Sequence, residues 1–404
     1  MFHDPIPKKS AVCVPVSAFF PLMLKNFFAL VLIVMFCFGQ KTMAEEQKEW
    51  TLMVYMCADN DLEESALLDF LEMEQGVHDD VNILVLMDRS KGYTQRYDNW
   101  AGTRMYRIKK ARDKVDYSKI LTNEINYPSE FESQLLKDYG ELDMSDPQNL
   151  ISFVKESVEN FPAKRYALIP WNHGGGWKSM IMDQDGGKGV KGRGDMTVYQ
   201  FADALKRAAI YLPSGKFDAI IFEMCLMGQV DVLDTLAPYT DYVFAAPPVM
   251  PAVGIDYTNV LPFFRAGVST RDLMEKIVNS STEFLVKNHL LECAYSAYDM
   301  RRMPKLTEAL NRLNSQLNGF VDRFYNAFAS CLSFCVHVNS VETDVAYGKP
   351  AYWSVSLEDW IRGIESSIQG VDRKLIENVR SAIDELIVAK NSTPNASTKL
   401  LIFS

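Results

Sequence analysis

Runs of consecutive apolar residues alternate with amphipathic segments along most of the chain. Five runs lack polar alternation, which is typical of strands buried on both faces of a sheet; they cover residues 50–56, 81–87, 166–171, 217–223 and 242–246. The segments between several of them have helical spacing. This order predicts an α/β fold with a mainly parallel sheet and helices on both faces.

Helix-start signals mark two of the intervening segments. Asp59 or Asn60 can cap a helix that runs to about residue 73, and Asp146 with Pro147 opens a helix over 147–160. Further helices are predicted over 197–211, 228–236, 270–289, 303–327 and 372–389, with a strand near 294–299. Residues 95–109 predict a polar hairpin that turns near Trp100. After about residue 262 the pattern is mainly helical, so we expect 263–404 to be a helical continuation packed on the same core.

The amino-terminal residues have the composition of a targeting segment. Residues 27–38 form a run of 12 apolar residues, which as a helix would rise about 18 Å, too short for a hydrocarbon core of about 30 Å. Lys25 before the run and Ala44 after it complete the pattern of a secretory signal peptide over 1–44, with Met23 as an alternative start. We therefore expect export to the periplasm, the cell surface or the medium, and no membrane anchor after the signal is removed.

Composition, net charge and cysteine count narrow the classes of protein to which this chain can belong. The 404 residues are 48% hydrophobic and 23% charged, which supports a globular core and excludes wholesale disorder. The net charge of -10 argues against a nucleic-acid partner, because binding nucleic acid needs a basic protein surface. We also expect the protein to be a monomer. Five cysteines follow residue 44, and an odd number leaves at least one free thiol in an exported protein.

Two reactive side chains follow predicted strands. His173 comes shortly after the strand at 166–171, and Cys225 follows the strand at 217–223. Because the carboxyl ends of parallel strands meet at one edge of a sheet, we expect these side chains to lie close together. An imidazole can take the proton of a thiol nucleophile, and the backbone N–H groups of Gly174 and Cys225 can hold the oxyanion. The alternatives are a cysteine and a histidine that are only structural.

Three segments of the chain read WTLMVYMCADNDLE at 50–63, WNHGGGW at 171–177 and FEMCLMG at 222–228. These segments closely resemble the clostripain family of caspase-like bacterial cysteine peptidases. The resemblance implies a caspase-like α/β/α sandwich with the catalytic domain at 45–262, and a dyad of Cys225 and His173 without an evident third acidic member. It also implies an endopeptidase that cleaves protein or peptide substrates after Arg or Lys.

The resemblance implies further roles for charged residues. Glu223 stands where the family usually carries the Asp at the base of the S1 pocket, and Asp256 belongs to an Asp-Tyr pair that this chain keeps. We expect both to bind the basic P1 side chain, the alternative for Glu223 being a carboxylate satisfied by backbone donors. Members of the family are activated by self-cleavage, and the Gly-rich segment 183–195 offers three basic candidates: Lys188, Lys191 and Arg193. The alternative is an exposed loop that is never cut.

Two further hypotheses are that the protein binds a metal ion and that it is a catalytically silent relative of these peptidases. Some relatives use calcium, and residues 183–187 are weakly suggestive, but they lack the EF-hand pattern. Cysteine and histidine spacings do not fit a structural zinc site, so we expect no metal and no cofactor, with calcium as the alternative. The competing function is a catalytically silent binding module at the cell envelope. The intact His173 and Cys225 favour the enzyme, whereas the unusual Pro247, Pro248 and Met250 slightly favour the silent module.

Overall fold

A computed structural model describes residues 47–112, 127–184, 194–289, 293–320, 337–338, 354–394 and 402–403. The predicted signal peptide and the three self-cleavage candidates lie outside these residues. From Gln47 onward the chain forms one compact unit. None of the helices in the described ranges combines the length and the hydropathy that a membrane span needs.

In the part of the chain that the structure describes, nine strands form a central sheet. In chain order these strands are β1 (Lys48–Ala58), β2 (Val81–Arg89), β3 (Gly102–Arg107), β4 (Gln134–Gly140), β5 (Ala163–Trp171), β8 (Ala219–Ile221), β9 (Tyr242–Ala245), β10 (Ala294–Asp299) and β13 (Ile387–Ser392). Their order across the sheet is β13-β10-β9-β8-β5-β1-β2-β3-β4. A two-stranded sheet pairs β6 (Met180–Asp183) with β7 (Gly194–Met196), and a three-stranded sheet joins β11 (His337–Val338), β12 (Ser354–Ser356) and β14 (Ile402–Phe403).

The five predicted buried strands form the parallel centre of the large sheet. β1 pairs in parallel with both β2 and β5, and β8 pairs in parallel with both β5 and β9. The outer strands β3, β4, β10 and β13 pair antiparallel. Buried apolar side chains on both sheet faces explain why these central strands lack polar alternation.

Helices cover both faces of the sheet, which confirms the predicted α/β/α architecture. In chain order they are α1 (Glu63–Gly76), α2 (Pro147–Asn160), α3 (Val198–Ala208), α4 (Val230–Leu236), α5 (Tyr257–Val260), α6 (Thr270–Lys287), α7 (Met303–Asn318), α8 (Leu357–Ser367) and α9 (Arg373–Leu386). Apolar residues of α1, α5 and α6 join the core on one face, and those of α2, α3, α4, α7, α8 and α9 join the core on the other.

Three local predictions are wrong. Residues 95–109 form no hairpin of their own, because β3 pairs with the open edge of β2 and buries Met105 and Tyr106. Helix α1 begins at Glu63 rather than after a cap at Asp59 or Asn60, since the Asn60 side chain accepts the Leu62 N–H in the turn before the helix. The predicted helix over 372–389 ends at Leu386, where the chain becomes β13 and pairs with β10.

Candidate active site

The segments that carry His173 and Cys225 lie side by side at the carboxyl edge of the sheet. Trp171, the last residue of β5, forms a parallel bridge with Glu223, which lies just beyond the end of β8. Gly174 packs against the turn that follows β8 so closely that a Cβ at position 174 would lie 2.1 Å from the Cys225 carbonyl oxygen. The sheet order therefore brings together the two segments that the sequence analysis selected.

His173 has an acidic partner that the sequence analysis did not find. Its Nε2 lies 2.8 Å from Asp61 Oδ1, and the Asp61 side chain is 67% exposed. A carboxylate only accepts hydrogen bonds, so Nε2 is the donor and Nδ1 remains as the basic nitrogen of the neutral ring. Asp61 comes from the β1–α1 turn, and the adjacency of β1 and β5 brings it to the histidine.

The side chain of Asn172 holds the backbone at His173 in place. Its buried amide nitrogen donates to the carbonyl oxygens of Cys57, at 2.6 Å, and Met182, at 3.0 Å. Its oxygen accepts the N–H groups of His173, at 2.6 Å, and Met182, at 3.0 Å. Buried amide groups that are fully hydrogen-bonded in this way hold a single geometry. The signal in the sequence that could have indicated this role of Asn172 was the presence of a polar residue directly before His173.

Cys225 carries the most accessible thiol of the free cysteines in the described residues, since Cys57 and Cys293 are buried. The Met250 N–H donates to Cys225 Sγ at 3.3 Å. Leu226, the next residue, has φ 64°, a left-handed conformation that bulky residues rarely adopt. Its N–H donates to the Pro248 carbonyl at 3.1 Å. The unusual segment 247–250 thus lies directly against the turn that presents the thiol.

Glu223 is buried beneath this turn. Its Oε1 accepts the Ile255 N–H at 2.6 Å, and its Oε2 accepts the Tyr257 hydroxyl. Gly254 has φ 56°, and a Cβ there would lie 1.7 Å from Oε1, so this loop closes over the carboxyl group only with glycine. Burial raises the pKa of Glu223 to about 7. Its predicted role in binding P1 stays a prediction.

Two further buried acids lie near Glu223, and we call Asp69, Glu72 and Glu223 the Glu223 acidic cluster. Asp69 accepts the indole N–H of Trp171 at 2.6 Å, and Glu72 accepts the Tyr257 N–H at 3.0 Å. Burial and then the charge of Glu223 raise the pKa of Asp69, and burial is also the main cause of the raised pKa of Glu72. Sequence reasoning missed both residues.

Asp256 is engaged within its own turn. Its Oδ1 accepts the Asn259 N–H at 3.2 Å, which caps α5, and its Oδ2 accepts the Asn259 side-chain amide at 2.5 Å. The carboxylate is nearly buried, with 6% of the residue exposed. Capping explains its local contacts, and its predicted contact with a P1 side chain remains a prediction.

Comparison with known sequences places most of the chain, including His173 and Cys225, within a family domain. The sequence profile of the Clostripain family matches residues 54–393. Clostripain from Hathewaya histolytica is 27% identical over 257 residues, which cover 57% of this chain and 45% of that protein. The chain therefore matches less than half of the length of that relative.

Solved structures share the fold. A secreted C11 cysteine protease from Bacteroides thetaiotaomicron, bound to an irreversible peptide inhibitor, superposes with a TM-score of 0.61 at 18% identity, over 88% of this chain and 90% of that one. An inactive zymogen of a C11 protease from Parabacteroides distasonis also has a TM-score of 0.61, at 16% identity, over 87% of this chain and 85% of that one. These structures show a shared caspase-like fold. With the profile match over most of its length, the chain belongs to the clostripain family.

Proposed function

We propose that this protein is a cysteine endopeptidase that cleaves after Lys or Arg with Cys225 as nucleophile and His173 as base. The observation that carries the proposal is the contact between two turns of a clostripain-family sheet. The Gly174 backbone beside His173 packs against the Cys225 carbonyl. A nucleophile, a base and backbone N–H groups then share one edge of the sheet, as acyl transfer requires.

The chemistry follows from the orientation of the histidine. With Nε2 donating to Asp61, His173 Nδ1 takes the thiol proton as Cys225 Sγ attacks the scissile carbonyl carbon. The N–H groups of Gly174 and Cys225 stabilise the oxyanion. The C–N bond then breaks as the imidazolium protonates the leaving amine. Water, deprotonated by His173, hydrolyses the thioester and restores the thiol.

The proposed preference for a basic P1 residue rests on the Glu223 acidic cluster. Glu223 stands two residues before the nucleophile and is held by the Ile255 N–H and the Tyr257 hydroxyl. Both partners are neutral, so neither of them neutralises the carboxylate, which above about pH 7 can attract a substrate cation. Asp69 and Glu72 lie behind it, and although burial raises their pKa values, a bound lysyl or arginyl cation would favour the ionised form of these carboxyl groups, whereas a neutral side chain would not.

Export and self-processing belong to the same proposal. One structural relative is named as a secreted protease and another as an inactive zymogen. We expect cleavage after Lys188, Lys191 or Arg193, between Asp183 at the end of β6 and Gly194 at the start of β7. A cut there would leave both strands paired, because β6 and β7 lie on opposite sides of the segment.

Mass spectrometry of purified wild type beside Cys225→Ala tests the proposal. Both proteins are incubated with lysyl, arginyl and alanyl reporter peptides and with an arginyl electrophile. We expect wild type alone to cleave the basic reporters, to carry the label on Cys225 and to be cut after one of the three basic candidates. Folded wild type that leaves the reporters intact and takes no label would instead support the silent binding module.

A further inference from the structure

A second group of reactive side chains lies inside the fold, on the sheet face opposite α1. Cys57 and Asp88 are neighbours across β1 and β2, and Asp183 ends β6. All three residues are fully buried, and the thiol sulfur and one oxygen of each carboxylate lie within 4.8 Å of one another. We call these residues the Cys57 cluster. None of them takes part in the proposed peptidase chemistry.

The carboxylates of the Cys57 cluster are oriented by neutral donors. The Thr103 hydroxyl donates to Asp88 Oδ1 at 2.7 Å, and the Met144 N–H donates to Asp183 Oδ2 at 2.7 Å. Asp88 Oδ2 is buried without a hydrogen-bond partner among the residues that the structure describes. A buried carboxylate oxygen is costly unless it is paired or coordinates a metal ion. Outer hydrogen bonds of this kind orient ligating carboxylates at metal sites.

We propose that Cys57, Asp88 and Asp183 bind a divalent metal ion of the zinc class. A thiolate with two carboxylates suits zinc, which takes Cys sulfur and Asp oxygen ligands at about 2.0–2.3 Å. Calcium instead prefers six to eight oxygen ligands, so the thiol argues against it. Binding replaces the thiol proton, which leaves to solvent, and the Met182 carbonyl, now 3.2 Å from Cys57 Sγ, is released from that hydrogen bond.

Sequence spacing did not reveal this site because its ligands come from three separated strands. The cysteine and the two aspartates meet only through the pairing of β1 with β2 and the placement of β6 over the sheet. The expectation that no structural zinc site exists rested on short cysteine and histidine spacings. The proposed site uses no histidine and a single cysteine.

The Cys57 cluster is tied to the candidate active site through Asn172. That amide bonds the carbonyls of Cys57 and Met182 and also accepts the His173 N–H. Asp183 also leads directly into the segment with the self-cleavage candidates. A bound ion would therefore fix the base of that segment and the backbone of His173. Its binding does not depend on the proposed peptidase activity.

The test uses purified Cys225→Ala protein, so that the catalytic thiol neither binds metal nor cleaves the chain. After treatment with a chelator, Zn²⁺, Co²⁺ or Ca²⁺ is titrated by calorimetry, and bound metal is counted by elemental analysis. We expect one Zn²⁺ per chain, and a thiolate-to-metal charge-transfer band with Co²⁺. Further substitution by Cys57→Ser or Asp88→Asn should weaken Zn²⁺ binding by about 100-fold or more, at or above the range for loss of an outer-shell contact.

Matched controls separate this site from other metal-binding groups. Cys293→Ser changes another buried cysteine and should leave Zn²⁺ affinity and the Co²⁺ spectrum unchanged. Asp88→Asn should keep the fold and raise the melting temperature of the metal-free protein, because a neutral amide replaces a buried acid. The proposal is overturned if no Zn²⁺ binds, if Zn²⁺ affinity survives both Cys57→Ser and Asp88→Asn, or if Ca²⁺ binds more tightly than Zn²⁺.

Discussion

A side chain on Gly174 would collide with Cys225, since a Cβ at that position would lie 2.1 Å from the Cys225 carbonyl oxygen and 3.0 Å from the Met224 Cβ. The obstacle is backbone, which cannot rotate away as the end of a flexible side chain can. The two turns that carry the base and the nucleophile are therefore in contact through a position that only glycine fills. The relative placement of His173 and Cys225 therefore depends on the absence of a Cβ at position 174.

Gly174→Ala should separate the two turns and reduce kcat/KM by at least about 100-fold, because displacements near 1 Å cost about this much in catalysis. The measurement is hydrolysis of a lysyl reporter, with labelling of Cys225 as a second readout. Gly319→Ala is the control, because its φ is ordinary and the nearest atom to a Cβ lies 3.3 Å away. Near-wild-type activity in folded Gly174→Ala would contradict the geometry.

The ionisation of Glu223 should be visible in the activity towards basic substrates. Its pKa of about 7 means that the carboxyl group is neutral at lower pH and can attract a substrate cation only above about pH 7. We expect kcat/KM for lysyl and arginyl reporters to rise through this pH in wild type. In Glu223→Gln the rise should be absent and kcat/KM low at every pH, since the amide carries no charge.

Two measurements distinguish this effect from titration of the dyad. Alkylation of Cys225 by uncharged iodoacetamide should keep its pH profile in Glu223→Gln. The pKa of Glu223 in the folded protein lies above the ordinary glutamate value of 4.5. The folded state therefore binds the proton more tightly, and Glu223 lowers stability as pH rises from about 4.5 to about 7. Urea unfolding of Glu223→Gln should lack this loss. The assignment would be refuted if Glu223→Gln kept the wild-type pH dependence of both kcat/KM for basic reporters and stability in urea.

Asp61 orients His173 from an exposed position, so its contribution should be modest. Exposed ion pairs are worth up to about 1 kcal/mol, which corresponds to about a fivefold change. Asp61→Asn should lower kcat/KM by about this factor and leave the urea midpoint unchanged. Asp203→Asn, which removes an exposed partner of Arg207, is the control and should change neither quantity. A loss of several orders of magnitude would mean that the carboxylate takes a direct part in proton transfer.

The buried pair of Arg89 and Glu63 should be important for stability. Both side chains are fully buried, and Arg89 Nε donates to Glu63 Oε1 at 2.6 Å. Arg89→Met would leave the glutamate unpaired and should cost about 3–5 kcal/mol in the free energy of unfolding, measured with urea. The double variant Glu63→Gln/Arg89→Met should recover most of this loss. Arg312→Met, at an exposed pair, should change stability by less than about 1 kcal/mol.

Sequence patterns predicted the elements whose burial is continuous. The central strands are apolar on both faces, so their composition alone reports a parallel sheet between helix layers. Edge strands were harder to predict. β4 is mostly exposed, and β13 directly follows the last turn of α9, so neither has a continuous apolar run that distinguishes it from a loop or a helix end. Their existence depends on the unpaired edges of β3 and β10.

The sequence by itself determined that His173 and Cys225 follow buried strands of a clostripain-like sheet, because strand ends and reactive residues are local features. Only the tertiary structure decided which polar groups meet them. Asp61 reaches His173 through the pairing of β1 with β5, and the Cys57 cluster forms where β6 lies over β1 and β2. Contacts between residues far apart in the chain follow from strand order and register, which periodicity does not encode.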